Sequence, residues 1–93
     1  LDVNHQIDML DMVRSLAREK GLTVVIVSHD LSLAARYCDR LFLISDHKII
    51  ANGNVEHVLT PENMRRVFSI DAYLEYNERV GAPVVQIISS VKG

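Results

Sequence analysis

The stretch Thr23-Val24-Val25-Ile26-Val27-Ser28-His29-Asp30 decides the fold class of this chain. Its first five residues are apolar or β-branched without alternation, and three polar residues follow them. A short run that is apolar on both faces is typical of a strand buried on both sides in a parallel α/β sheet. The polar triplet then lies at the carboxyl end of the strand, where open parallel sheets place their ligand chemistry.

The segments on either side of this strand have the periodicity of helices. Apolar residues at helical spacing predict an α-helix from Val3 to Lys20, with Asp2 as its N-cap and Gly21 as a left-handed C-terminal cap. After the strand, Asp30 begins a short helical pattern that ends near Tyr37. The strand is therefore expected to lie between two helices.

His29 lies on the predicted turn from strand to helix. A neutral imidazole at such a turn can donate one hydrogen bond to an anionic oxygen while a neighbour holds its other nitrogen. A turn histidine can also be satisfied by the backbone alone, and spacing does not choose between the two. Ser28, His29 and Asp30 do not form a hydrolytic triad, because consecutive strand residues point to opposite faces.

Residues 40–45 form a second apolar run, which is expected to lie parallel to 23–28 through a right-handed crossover. Residues 48–52 should return antiparallel beside it after a turn at Asp46-His47. That turn has no glycine, although tight hairpins favour Asp-Gly or Asn-Gly. This half of the chain predicts parallel strands with helices, followed by an antiparallel hairpin.

The last forty or so residues predict short helices and a closing hairpin. Residues 54–59 fit one or two helical turns. Thr60 as a cap and Pro61 at the first helical position mark a further helix that ends near Phe68. Residues 71–77 and 83–91 read as two strands. The predicted fold class is therefore α/β, with residues 1–70 as the core and 71–93 as a C-terminal β-hairpin extension.

Composition narrows the class of function. The formal charge of −2, with no basic stripe, argues against nucleic acid as a partner. The single Cys38 excludes an internal disulfide and fits a reducing cytosol. No apolar run approaches the ~20 residues that cross a bilayer. A hydrophobic share of 48% is high for 93 residues that begin without methionine, so we expect a piece of a larger α/β domain with an exposed partner surface.

The remaining candidate residues have simpler explanations than chemistry. His5, His47 and His57 share no short ligand spacing and have no cysteine partner, so solvated surface histidines are expected and no metal site is predicted. Cys38 reads as a small buried apolar residue. Asp30 is expected to cap a helix.

Several short motifs, in order, resemble the C-terminal part of an ATP-binding-cassette (ABC) transporter ATPase. The resemblance extends over essentially the whole chain, and its last motif is similar to the subfamily that imports iron chelates, haem or vitamin B12. The motifs are Leu1-Asp2 (end of the D-loop), Ser28-His29-Asp30-Leu31 (switch-histidine loop), Asp39-Arg40-Leu41, Ile49-Ile50-Ala51-Asn52-Gly53, and Val58-Leu59-Thr60-Pro61-Glu62-Asn63-Met64 with Val67-Phe68.

The resemblance implies a P-loop NTPase-type ATPase that dimerises head to tail around two ATP molecules with Mg²⁺ and drives a membrane permease. His29 would contact the γ-phosphate of ATP, and Asp2 would lie at the dimer seam. Such a subunit is cytoplasmic and peripheral on the inner face of the cell membrane. The alternative is that Asp2 is an ordinary helix N-cap, which explains this residue without a role at the dimer seam.

The chain contains no Gly-rich loop ending in Lys-Ser/Thr, so nothing in it cradles the β- and γ-phosphates. We therefore expect the isolated piece neither to bind ATP tightly nor to hydrolyse it. Asp46-His47-Lys48 also departs from the family's usual Asp-Gly at the hairpin. The competing hypothesis is a stand-alone, non-enzymatic interaction or dimerisation module. Under both hypotheses an unpaired sheet edge predicts self-association.

Overall fold

The computed structural model describes residues 3–91 and contains four helices and four strands within that range. They are α1 (Val3–Lys20), α2 (Leu31–Tyr37), β1 (Leu41–Ser45), β2 (Lys48–Gly53), α3 (Val55–Val58), α4 (Pro61–Phe68), β3 (Ile70–Asn77) and β4 (Ala82–Ser90). The α/β class is confirmed.

The caps of the first two helices explain where those helices begin and end. Helix α1 has the predicted bounds, and Gly21 after it has a φ of 65°, a left-handed conformation that glycine adopts without a Cβ clash. The predicted cap Asp2 lies outside the described residues. Helix α2 begins after Asp30, whose Oδ1 accepts a hydrogen bond from the Leu33 N–H at 3.1 Å, as predicted.

The β1–β2 hairpin is antiparallel, and its turn adopts a strained backbone without glycine. Asp46 and His47 both have positive φ, 51° and 61°. Positive φ at both central residues is the pattern of a type I′ turn. Two-residue hairpins favour this turn because it matches the twist of the flanking strands. The register skips Ile50, which makes a β-bulge between the two strands.

Side-chain caps also start the two helices that follow. Asn54 Oδ1 accepts from the His57 N–H at 2.8 Å, and Thr60 Oγ1 accepts from the Asn63 N–H at 3.1 Å. Gly53, at a φ of 144°, is required at the entry to α3 because a Cβ there would approach the His57 ring to 2.9 Å. Helix α4 ends at Ser69, which has a left-handed conformation. This is not predictable from the sequence, because glycine is the usual residue at such a position.

The core lies between the two hairpins and the short helices. Strands β3 and β4 pair antiparallel, as predicted, and pack against α4 and α2. Val58 and Met64 have no exposed surface, and Leu59 is 2% exposed. The buried cluster draws on every element except α1 and β2 and comprises Ala35, Leu43, Val55, Val58, Leu59, Met64, Ala72 and Val85.

The predicted strand at 23–28 is wrong for this structure. Residues 22–28 have no regular secondary structure, and every residue from 21 to 30 is exposed, with Val25 at 86% and Val27 at 91%. The expected parallel crossover to 41–45 is likewise absent from the described residues, where both two-stranded sheets are antiparallel. An extended segment becomes a strand only beside a neighbour, and the four strands described here are paired with one another.

Helix α1 lies largely outside the core. Only Leu10 on it is buried, whereas Val3, Met12 and Leu16 on the apolar face are 70%, 57% and 40% exposed. Among the described helices none is long and apolar enough to cross a membrane.

Candidate functional site

His29 lies on a turn that is held on both sides by side-chain hydrogen bonds. Ser28 Oγ accepts a hydrogen bond from the Asp30 N–H at 3.0 Å, which closes a three-residue turn around His29. On the far side, the Asp30 carboxylate caps α2. The His29 ring is exposed and therefore accessible to a ligand from solvent.

An open groove of about 440 Å³ runs beside this turn. One wall is the His29 turn with the first residues of α2, and the other wall is β4, through Val85 and Ile87. The C-terminal hairpin therefore forms part of the surroundings of His29, a placement that the linear sequence does not reveal.

A second, smaller cavity of about 170 Å³ lies behind the turn. This cavity lies between α1 on one side and residues 26–28 with α2 on the other. Its walls include Leu10, Ile26, Val27, Ser28 and Tyr37. The residue that precedes His29 thus borders a space into which neighbouring side chains are not tightly packed. Helix α1 and the segment that carries His29 both border this cavity.

A polar cluster joins α1 to α2 and was missed from the sequence. The Tyr37 hydroxyl donates to Asp11 Oδ1 at 2.7 Å, and the Arg14 guanidinium lies over the Tyr37 ring, 4.8 Å from its centroid. Burial first, and the hydrogen bond to Asp11 second, raise the pKa of Tyr37 above its usual range. The i, i+3 spacing of Asp11 and Arg14 on α1 is the only sequence signal for this cluster.

The structure places two of the other candidate residues, Asp30 and Cys38. Asp2 is outside the described residues, and Asp30 is a helix cap, as predicted. Cys38 is half-buried, and burial, with a smaller effect of Asp39, raises the pKa of its thiol. Within residues 3–91 no three His, Cys, Asp or Glu side chains come together in a way that could hold a metal ion.

Comparison with known proteins finds relatives over most of the chain, although no protein-family model matches it. The chain is 47% identical over 72 residues to the hemin import ATP-binding protein HmuV of Bordetella avium, which is 77% of this chain and 28% of that protein. It is 40% identical over 87 residues to HmuV of Pseudoalteromonas translucida, or 94% of this chain and 33% of that protein. It is 36% identical over 85 residues to the ferric enterobactin transport ATP-binding protein FepC of Escherichia coli, or 91% of this chain and 31% of that protein.

The chain therefore spans about a third of the length of the relatives that it matches. The matches to these hemin and ferric enterobactin ATP-binding proteins extend over 77% to 94% of its residues. The resemblance seen in the motifs is confirmed, and the chain belongs, as a stretch equal to about a third of such a protein, to the ABC ATPases of the iron-chelate and haem importer type.

Proposed function

We propose that this chain is the C-terminal part of the ATP-hydrolysing subunit of an ABC importer for iron chelates, of the ferric siderophore, haem or vitamin B12 type. The observation that carries the proposal is the similarity of most of the chain to hemin and ferric enterobactin import ATP-binding proteins. Residues 22–28, which precede His29, belong to neither of the two described sheets, so sheet geometry adds no support to the proposal. The ATP and Mg²⁺ site, and the P-loop NTPase fold around it, belong to the complete subunit.

In this proposal His29 contacts the γ-phosphate of ATP. Asp30 already places its own carboxylate over the start of α2 and takes the Leu33 N–H, so the helix end is not free to bind an anion. The imidazole of His29 is exposed and can donate a hydrogen bond to a phosphate oxygen. Phosphoryl transfer depends mainly on positioning and charge stabilisation, which one well-placed donor can supply.

The partners follow from the same proposal. A second copy of the ATPase subunit would dimerise head to tail, with Asp2 at the seam, and an integral membrane permease would receive the work of ATP hydrolysis. The subunit would then be cytoplasmic and peripheral on the inner face of the membrane. Residues 1–70 would belong to the ATPase core, and residues 71–93 would extend it.

The test replaces His29 in the full-length subunit. We expect His29→Ala to lower the rate of ATP hydrolysis by about a hundredfold or more, as loss of one charge-stabilising donor does in other enzymes. ATP binding should stay within about twofold, because a single contact contributes little when the phosphate-binding loop is intact. Steady-state phosphate release and equilibrium binding of a fluorescent ATP analogue measure the two quantities.

His57→Ala is the matched control, because His57 is also exposed and lies on α3, outside the groove of His29. It should leave hydrolysis unchanged. If His29→Ala hydrolyses ATP at the wild-type rate, His29 has no part in the reaction. If the wild-type subunit itself does not hydrolyse ATP, the ATPase assignment fails.

The exposed run before His29 favours a second property of the isolated 93-residue chain. Val24 and Ile26 are 47% and 42% exposed, and Val25 and Val27 are almost fully exposed. A β-branched segment without a neighbour is a template for pairing with another chain. We propose that the isolated chain self-associates and neither binds ATP tightly nor hydrolyses it, whereas micromolar ATP binding by a monomer would contradict both statements.

A further inference from the structure

We propose that Tyr37 is a positioning residue for His29, because its contacts with α1 fix the junction from which the His29 turn projects. The proposal rests on the proposed ATPase function, since it concerns the reaction in which His29 acts. Tyr37 itself touches neither nucleotide nor phosphate in this scheme. We call Asp11, Arg14, Arg36 and Tyr37 the Tyr37 latch.

The latch is a dense set of polar contacts around a buried ring. Tyr37 is 8% exposed, and its hydroxyl donates to Asp11 Oδ1 at 2.7 Å. The guanidinium carbons of Arg14 and Arg36 lie 4.8 and 5.3 Å from the ring centroid. Arg14 also donates to the Arg36 carbonyl oxygen at 3.5 Å, at the limit of hydrogen bonding.

Helix α1 makes few buried apolar contacts within the described residues. Leu10 is its only buried residue, and the helix packs mainly on α2. Beside Leu10 lies the cavity of about 170 Å³, so the apolar contact there is incomplete. The charge-assisted hydrogen bond from Tyr37 to Asp11 is the shortest of the described polar contacts between α1 and the last turn of α2, and it limits how far the two can separate.

The latch and the His29 turn are parts of one short unit. Helix α2 has seven residues and is thus about 10 Å long, with Tyr37 at one end and the Asp30 cap, next to His29, at the other. The cavity gives a second connection, because Tyr37 and Ser28 both form its wall. A shift of α1 against α2 changes the space behind Ser28 and hence the direction in which His29 points.

The expected consequence is loss of rate without loss of binding. A displacement of about 1 Å at a reacting group can lower a rate about a hundredfold. A partial shift of His29 should cost less, and we expect Tyr37→Phe to lower kcat about three- to tenfold. The ring and its stacking on the arginines are kept in this variant, whereas the hydrogen bond to Asp11 is lost.

The experiment measures ATP hydrolysis by the full-length subunit, normalised to the number of bound ATP molecules. Tyr37→Phe and Asp11→Ala should lower kcat to a similar extent with KM little changed, and the double variant should be no slower than either single variant. Asp11→Asn keeps an acceptor oxygen for the tyrosine hydroxyl and should restore most of the rate. Asp8→Ala removes an exposed carboxylate one turn earlier on α1 and should leave the rate unchanged.

Two results would overturn the proposal. The first is a kcat of Tyr37→Phe equal to that of the wild type. The second is an Asp11→Asn variant as slow as Asp11→Ala, because restoring an acceptor oxygen for the tyrosine hydroxyl would then have no effect on the rate. These results leave the ATPase function standing if the wild-type subunit hydrolyses ATP. Absence of hydrolysis by the wild type rejects the proposed function, and the positioning role with it.

Discussion

Replacement of His47 by glycine should stabilise the protein, although it removes a side chain. His47 is the second central residue of the β1–β2 turn and has a φ of 61°. Its neighbour Asp46 has a φ of 51°, but a short polar side chain tolerates this region better than an imidazole does. His47 is exposed, so its removal leaves no cavity.

The size of the effect follows from two opposing terms. The left-handed conformation costs an L-residue about 1–2 kcal/mol, which glycine does not pay. Glycine also gives the unfolded chain more freedom, which costs about 0.5–1 kcal/mol on folding. The free energy of unfolding should therefore rise by about 0.5–1 kcal/mol in His47→Gly. For a domain of this size, the midpoint of thermal unfolding should rise by about 2–8 °C.

Urea unfolding followed by circular dichroism measures this change as a higher midpoint at an unchanged slope. Lys48→Gly is the matched control, because it places glycine one residue later, at the start of β2 and outside the positive-φ region. That variant should be less stable than the wild type. A His47→Gly protein no more stable than the wild type, or a Lys48→Gly protein equally stabilised, would show that the turn is not strained.

Three further predictions concern the core, the latch and the exposed segment. Met64→Ala should lower the free energy of unfolding by about 2–5 kcal/mol in urea titrations, because Met64 has no exposed surface and its truncation leaves a cavity in the core. The raised pKa of Tyr37 means that its stabilising effect is complete below the unfolded value near 10 and is lost as the pH rises through the folded pKa. The difference in melting temperature between wild type and Tyr37→Phe should therefore shrink as the pH rises above about 10, and it would stay constant if the pKa of the tyrosine were the same in the folded and unfolded chain. Val25→Lys and Val27→Lys should shift the isolated chain towards monomer in sedimentation velocity, whereas an unchanged distribution would place the association elsewhere.

Local sequence signals predicted the elements whose structure depends on near neighbours. Helix α1 was predicted from Val3 to Lys20 and is found there, and the Thr60-Pro61 start of α4 is also confirmed. Caps and helical periodicity act within a few residues, so a single sequence contains what they need. Both antiparallel hairpins were predicted for the same reason, even where the turn lacks glycine.

The run from Thr23 to Val27 shows where sequence reasoning fails. Its β-branched composition predicts a buried strand, whereas the structure assigns residues 22–28 no regular secondary structure. Burial on both sides needs neighbouring strands and covering helices, which a sequence cannot guarantee to be present. In the described residues those neighbours are absent, so the segment stays exposed. The role of His29 stays a prediction for the same reason.

The Tyr37 latch was missed because its members are far apart in sequence. Asp11 and Arg14 looked like ordinary residues on the polar face of α1, and Tyr37 looked like the end of a short helix. Their contact depends on how α1 packs on α2, which periodicity does not determine. A buried tyrosine has a polar tip that usually finds a hydrogen-bond partner, but the sequence does not show that Tyr37 is buried.

Within residues 3–91 the strands form two hairpins, whose turns have two residues (46–47) and four residues (78–81). Such pairing closes very small loops, and low contact order goes with rapid folding. Residues 41–91 should therefore organise within milliseconds or faster, before α1 docks. Native-state hydrogen exchange would then show a slow-exchanging foldon around Val58 and Met64 and an early-opening helix at the amino-terminal side.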